Sequence, residues 1–232
     1  MALSKVGTLF DAVKKGNIAL TVELINNGVD INKQNDSGHT PLHIAVKKGN
    51  IELIRCLLEH NADHNIGDFF ERTPLRYAVE TKCDLEIIKM LIDHGADVNT
   101  QDFSGGTILH TCPFDIDFIS MLIEKGANIN KQDYRGYTPL HMAIEREFHY
   151  EYIRFLISSG ADVDIQNNRG DTPLHFAVEN SNLQIVEELI NSGSDVNISD
   201  ENGHKPIQLS RYNEITELLK NAHPLMKEPD CD

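Results

Sequence analysis

Eleven histidines in a chain of 232 residues are the first side chains to test for chemistry. Imidazole is a general base near neutral pH and the commonest metal ligand. Four of the eleven, His43, His110, His141 and His175, hold one place in a recurring sequence frame. Arg76 and Gln208 fill that place elsewhere, which a shared catalytic or ligand role would not tolerate. These histidines are therefore expected to tie neighbouring loops by structural hydrogen bonds. His60 and His64 straddle an expected helix end, so they do not share a face as a zinc-binding HExxH pair does. The four cysteines, Cys56, Cys83, Cys112 and Cys231, lie far apart without a CxxC pair. That spacing offers neither a zinc ribbon nor a disulfide framework and fits a reducing compartment. Cys56 and Cys83 read as core or near-core thiols rather than nucleophiles.

The acidic side chains are equally periodic. Asp30, Asp63, Asp97, Asp162 and Asp195 recur at one place, where turn and cap roles account for them. No glycine-rich phosphate loop and no nucleophile elbow occurs. The expectation is a protein with no enzymatic reaction, no metal and no cofactor.

The elements that carry these residues are repeats. "TPLHIAV" (40–46) returns as "TPLRYAV" (73–79), "TILHTC" (107–112), "TPLHMAI" (138–144) and "TPLHFAV" (172–178). "GTLFDAVKKGN" (7–17) precedes them in phase, and a degenerate "KPIQLS" (205–210) follows. Repeats thus start near 7, 40, 73, 107, 138, 172 and 205, at intervals of 33, 33, 34, 31, 34 and 33 residues. A second motif, "NNGVDIN", "HNADHN", "HGADVN", "KGANIN", "SGADVD" and "SGSDVN", runs at fixed offset. Thr before Pro supplies an N-cap and the first helical residue. A short first helix, about 41–48 in the second repeat, precedes a second helix with apolar Ile51, Ile54, Leu57 and Leu58 at helical spacing. Both fall short of the ~12–15 residues an isolated helix needs in water, so the units must stack. Gly28, Gly95, Gly126, Gly160 and Gly193, with Asn61 in the second repeat, stand where the second helix should end in a left-handed residue. The fourth repeat lacks about two residues and carries Pro113, which predicts a shortened or distorted first helix and a bend in the stack. The seventh is short and polar, as a terminal cap should be.

These coupled motifs resemble those of the ankyrin-repeat family over residues 7–222. The resemblance implies an all-α fold: a right-handed solenoid of about seven stacked helix-turn-helix units with β-hairpin-like loops. It also implies a docking surface for another protein. Residues 1–6 are expected to be a lead, and 223–232 an acidic flexible tail.

In that register one loop-tip position reads Asp36, Phe69, Phe103, Tyr134, Asn168 and Glu201. Three consecutive middle repeats carry an aromatic there, flanked by polar residues. Phe70 adds a second ring where Glu71 replaces the turn glycine, and is expected to fold back onto the next loop. Tyr137 and Arg72 directly follow the turn position in their own repeats. Exposed aromatics of this kind mark interfaces and supply much of their energy. Phe69, Phe70, Arg72, Phe103, Tyr134 and Tyr137 are therefore the expected partner-binding residues. A second pattern sits at the ends of the first helices. Lys14/Lys15 and Lys47/Lys48 give way to Glu80/Thr81, Glu145/Arg146 and Glu179/Asn180. The family places these positions on the concave side, so Lys47, Lys48, Glu80 and Arg146 join the expected set. As a further expectation from the family, Asn32, Asn65, Asn99, Asn130 and Asn197, each eight residues after a Leu, are candidate sites of asparaginyl hydroxylation.

The formal net charge of −15 argues against a nucleic-acid binder, which needs a basic footprint. Lys5 and Asp11 interrupt the N-terminal segment too early for a signal peptide. No apolar run approaches the ~20 residues of a membrane span. The expected protein is a monomeric scaffold, adaptor or competitive inhibitor in the cytoplasm or nucleus, or one delivered into a host cell by a pathogen. Its partner is another protein, with a basic patch favoured by charge; an inhibitor resembling the IκB group is the alternative. No appended box or second domain is expected.

Overall fold

The computed structural model describes residues 9–111 and 116–222. The lead at 1–6, Cys112, Pro113 and the tail with Cys231 lie outside the described residues. Those described are helix and turn, with no strand among them. They fall into two compact units, one comprising residues up to 112 with Glu124–Ala127, the other residues 113–123 with Asn128 onward.

In the first unit, helix α1 (9–14) pairs with α2 (Ile18–Asn26), α3 (Pro41–Lys48) with α4 (Ile51–Glu59), and α5 (Pro74–Glu80) with α6 (Leu85–Asp93). A short α7 (Ile108–Thr111) follows. In the second unit lie α8 (Ile116–Glu124, its last residue assigned to the first unit), α9 (Pro139–Glu145), α10 (Tyr150–Ser158), α11 (Pro173–Glu179), α12 (Leu183–Asn191), α13 (Pro206–Leu209) and α14 (Asn213–Asn221).

Four first helices start as the Thr-Pro pair dictates. Thr40, Thr73, Thr138 and Thr172 are extended N-caps with proline at the first helical position. The repeated frame gives the short helices an apolar side. Leu42, Ala45 and Val46 of α3 and Leu53, Ile54 and Leu57 of α4 have no measurable exposure. Burying each of the leucines, Ile54 and Val46 is worth about 1.5–3 kcal/mol, and it requires the neighbouring repeats. In the fourth repeat the first helix is described over Ile108–Thr111, and the shortening and bend expected there fall on residues that lie outside the described ones. The terminal α14 buries only Ile215 and Leu219.

The inter-repeat loops share one turn. Its base is Asn35, Asp68, Asp102, Asp133, Asn167 or Asp200, whose backbone N–H donates to the carbonyl four residues on. The same side chain accepts the backbone N–H groups at two and four residues beyond, for example from Phe70 and Arg72 onto Asp68. The turn is hairpin-like without being a strand pair.

Candidate interaction surface

The histidine frame is structural. His43 Nδ1 lies 2.8 Å from Thr40 Oγ1, and Nε2 donates to the carbonyl of Arg72 in the next loop at 2.9 Å. His141 and His175 repeat this tie to Asp171 and His204. Burial pushes His43 down to about 4, since the charged imidazolium would lose its water. Among the described residues no group of three or more His, Cys, Asp or Glu side chains could hold a metal.

Arg76 does more than replace a histidine. Its guanidinium is 1 % exposed; Nη1 donates to Gly106 O at 2.6 Å, Nη2 to Asp102 Oδ2, and Nε to Glu80 Oε1 at 2.9 Å. Glu80 in turn meets Arg72, and Arg72 Nη2 pairs with the buried Asp68 at 2.6 Å. An ion chain thus runs Asp68–Arg72–Glu80–Arg76–Asp102. Burial alone would raise Asp68, but hydrogen bonds from Arg72 and the loop backbone outweigh it and hold the carboxyl below its usual range. Arg72 and Glu80, expected to serve a partner, are therefore engaged within the chain. Sequence reasoning overlooked Asp68 and Asp102. An Asp or Asn directly before each loop tip, together with an arginine at a buried histidine place, was the available signal.

The tip aromatics point outward. Phe69 is 68 % exposed, Phe70 55 %, Phe103 64 % and Tyr134 64 %. In the first unit Phe70 and Phe103 meet edge to face with centroids 6.1 Å apart, while Phe103 N–H reaches Phe70 O at 3.4 Å. The Arg72 guanidinium lies 5.1 Å from the Phe70 ring centre and 5.4 Å from that of Tyr77. Phe69 lies against Gly38, where an added Cβ would stand 2.5 Å from the Phe69 nitrogen. Glu71 takes the left-handed φ of +60° that the other five turns give to glycine. A cleft beside these tips is lined by Asn65, Asp68, Glu71, Thr73 and Gln101, with no histidine or cysteine.

Tyr137 overturns its expectation. It is 5 % exposed, with its ring stacked on His141 and edge-on to Phe176 at 5.3 Å. Its ring faces inward, and Arg135 covers it at 4.1 Å. Burial raises the Tyr137 phenol above its ordinary range. Lys47, Lys48 and Arg146 are exposed. The asparagines of the second motif link repeats: Asn32, Asn65 and Asn130 accept from the backbone N–H of Asp63, Asp97 and Asp162. Asn99 Nδ2 donates to Gly126 O, and Asn197 accepts from Lys205 Nζ.

Short capped helix pairs, stacked and joined by loops whose tips carry exposed rings, define a repeat protein. Ankyrin-repeat models match residues 9–102 and 146–228 (three copies) and residues 113–157 (many copies). The chain belongs to the ankyrin-repeat family. Its fold is similar to the crystal structure of the ankyrin repeat domain of Bcl-3, described as a unique member of the IkappaB protein family. The TM-score is 0.80 at 26 % identity, covering 91 % of this chain and 97 % of that one. It is also similar to an ankyrin repeat domain from Acinetobacter baumannii AYE, at TM-score 0.68 and 26 % identity over 81 % of this chain and 98 % of that one. No curated protein sequence matches. Ankyrin repeats are generally protein–protein interaction modules. No helix among the described residues is long and apolar enough to cross a membrane.

Proposed function

We propose that this chain is a non-enzymatic module that binds another protein through its loop tips and inner helix ends, as scaffold, adaptor or competitive inhibitor. The observation that carries this reading is the set Phe69, Phe70 and Phe103, three phenylalanines more than half exposed on successive loops of one unit. Large rings left in water are costly to keep and are the anchors that interfaces favour. Tyr134 offers the second unit a tip ring of its own. The histidine ties and the Arg76 ion chain supply a rigid frame, which lowers the ordering cost of binding. The partner is a protein rather than nucleic acid or membrane, in keeping with the net charge of −15.

The likeness to the Bcl-3 ankyrin domain favours a second, narrower reading, an inhibitor of the IκB kind that occupies a transcription factor in the cytoplasm or nucleus. A photo-crosslinking phenylalanine analogue at position 103 tests the general reading in the native cell. Capture of a defined protein there, and not from the polar tip at position 201, supports it. Equal labelling at the two tips contradicts it.

A further inference from the structure

Lys14 and Lys15 close the first helix of repeat one, and Lys47 and Lys48 close α3. All four are exposed. The lysines that form ion pairs among the described residues are others, Lys125 and Lys220. Cations at a helix C-terminus relieve the macrodipole, but that does not explain this cluster. The equivalent residues Glu80, Glu145 and Glu179 carry the opposite sign on helices of the same kind. The turn backbone is also the same with either charge. Gly16 and Gly49 share a left-handed φ with Lys82, Glu147 and Ser181. Glu80 and Glu145 answer arginines of their own repeats, whereas the four lysines at this place in the first two repeats take part in no ion pair among the described residues, so folding does not call for a cation there.

The cluster is continuous with the exposed rings. A Cβ on Gly16 would lie 3.1 Å from Asn50 Nδ2, and Cys83 Sγ reaches Val46 O at 3.7 Å, so the first three inter-helix turns stack directly. Lys47 is close enough to His39 to add to the burial that disfavours its protonation. His39 packs on Tyr77 at 5.7 Å and meets Asp68 at 3.6 Å. Arg72 then bridges Tyr77 to Phe70, and Phe70 meets Phe103. One strip of the first unit thus runs from lysines to phenylalanines.

We propose that this strip takes an extended Asp/Glu-rich segment of a partner protein, with carboxylates along Lys14, Lys15, Lys47 and Lys48 and an apolar side chain on the Phe70–Phe103 pair. It rests on the interaction-module reading and names the partner's chemistry. It also reverses the partner charge that the whole-chain balance favours, because the local field at the binding strip is set by nearby charges once salt screens beyond ~10 Å. A peptide segment with spaced carboxylates suits the strip better than a nucleic acid, whose continuous charge would meet the acidic remainder of the chain.

The test uses the full chain against a random peptide display library. The expected result is enrichment of acidic sequences bearing an apolar residue. Their affinity should fall about tenfold or more in the variant Lys14→Glu, Lys15→Glu, Lys47→Glu, Lys48→Glu, and on raising salt from about 0.05 to about 0.3 M. Phe103→Ala should weaken the same peptides separately. All five positions are exposed, and a thermal melt of each variant serves as the check on folding. Enrichment of neutral or basic peptides, unchanged affinity on lysine reversal, or displacement of the peptide by duplex DNA at lower concentration overturns the proposal. Lysine-independent binding with capture still occurring at position 103 removes this inference and leaves the wider reading standing. Lysine-dependent peptide binding without that capture does the reverse.

Discussion

Arg76 of α5 and Asp102 of the following inter-repeat loop form an ion pair within the first unit, with the guanidinium almost fully buried. The pair stands where other repeats use a histidine and a backbone carbonyl. It anchors the loop that carries Phe103 to the helix that follows Phe69 and Phe70. A buried pair is not strongly stabilising as a whole, because desolvation offsets its attraction, but losing one partner leaves a charge stranded.

Arg76→Ala should therefore destabilise the protein by about 3–5 kcal/mol. Urea denaturation followed by circular dichroism measures it. A loss below about 1 kcal/mol, the worth of an exposed pair, would show the ion chain to be solvated.

Acid should loosen the same unit through His43. Its folded value is about 4 against the ordinary 6.5, so the unfolded chain binds the proton more readily. The neutral ring's contribution is complete above about pH 6.5 and declines as pH falls toward about 4. The full difference is on the order of 3 kcal/mol. His43→Gln should flatten that decline, because Gln208 already performs the capping role in the seventh repeat, accepting from Lys205 N–H at 2.7 Å. Urea midpoints between pH 7 and pH 4 decide the matter; equal slopes for parent and variant would clear His43 of the effect.

The tip turns make opposite predictions for two neighbouring loops. Glu71 holds a left-handed backbone that costs an L-residue about 1–2 kcal/mol, while glycine loses about 0.5–1 kcal/mol of chain freedom. Glu71→Gly should thus stabilise by about 0.5–1 kcal/mol. Gly38→Ala should destabilise by about 1–3 kcal/mol, since its methyl meets the Phe69 backbone. Calorimetric melting of both variants checks the signs.

Much of this architecture could be read before any coordinates. The Thr-Pro caps and the apolar spacing of residues such as Leu53 and Leu57 are local signals, and local physics placed them correctly. Phe69, Phe103 and Tyr134 were legible because a polar tip position broke its own pattern. Tyr137 was misplaced because adjacency to a turn glycine says nothing about which way a ring points; the packing of His141 and Phe176 decides that. The engagement of Arg72 and Glu80 was invisible for a similar reason. Their partners Asp68 and Arg76 are brought into one chain of charges by the loop and helix together.

The most direct test is the affinity of a captured native partner for the full chain carrying Phe69→Ala and Phe103→Ala, measured by calorimetric titration beside the parent. Truncating an interface anchor costs about 1–4 kcal/mol, so affinity should fall at least tenfold while the melting profile is retained. An unchanged dissociation constant with intact folding would contradict the claim that these rings hold a partner.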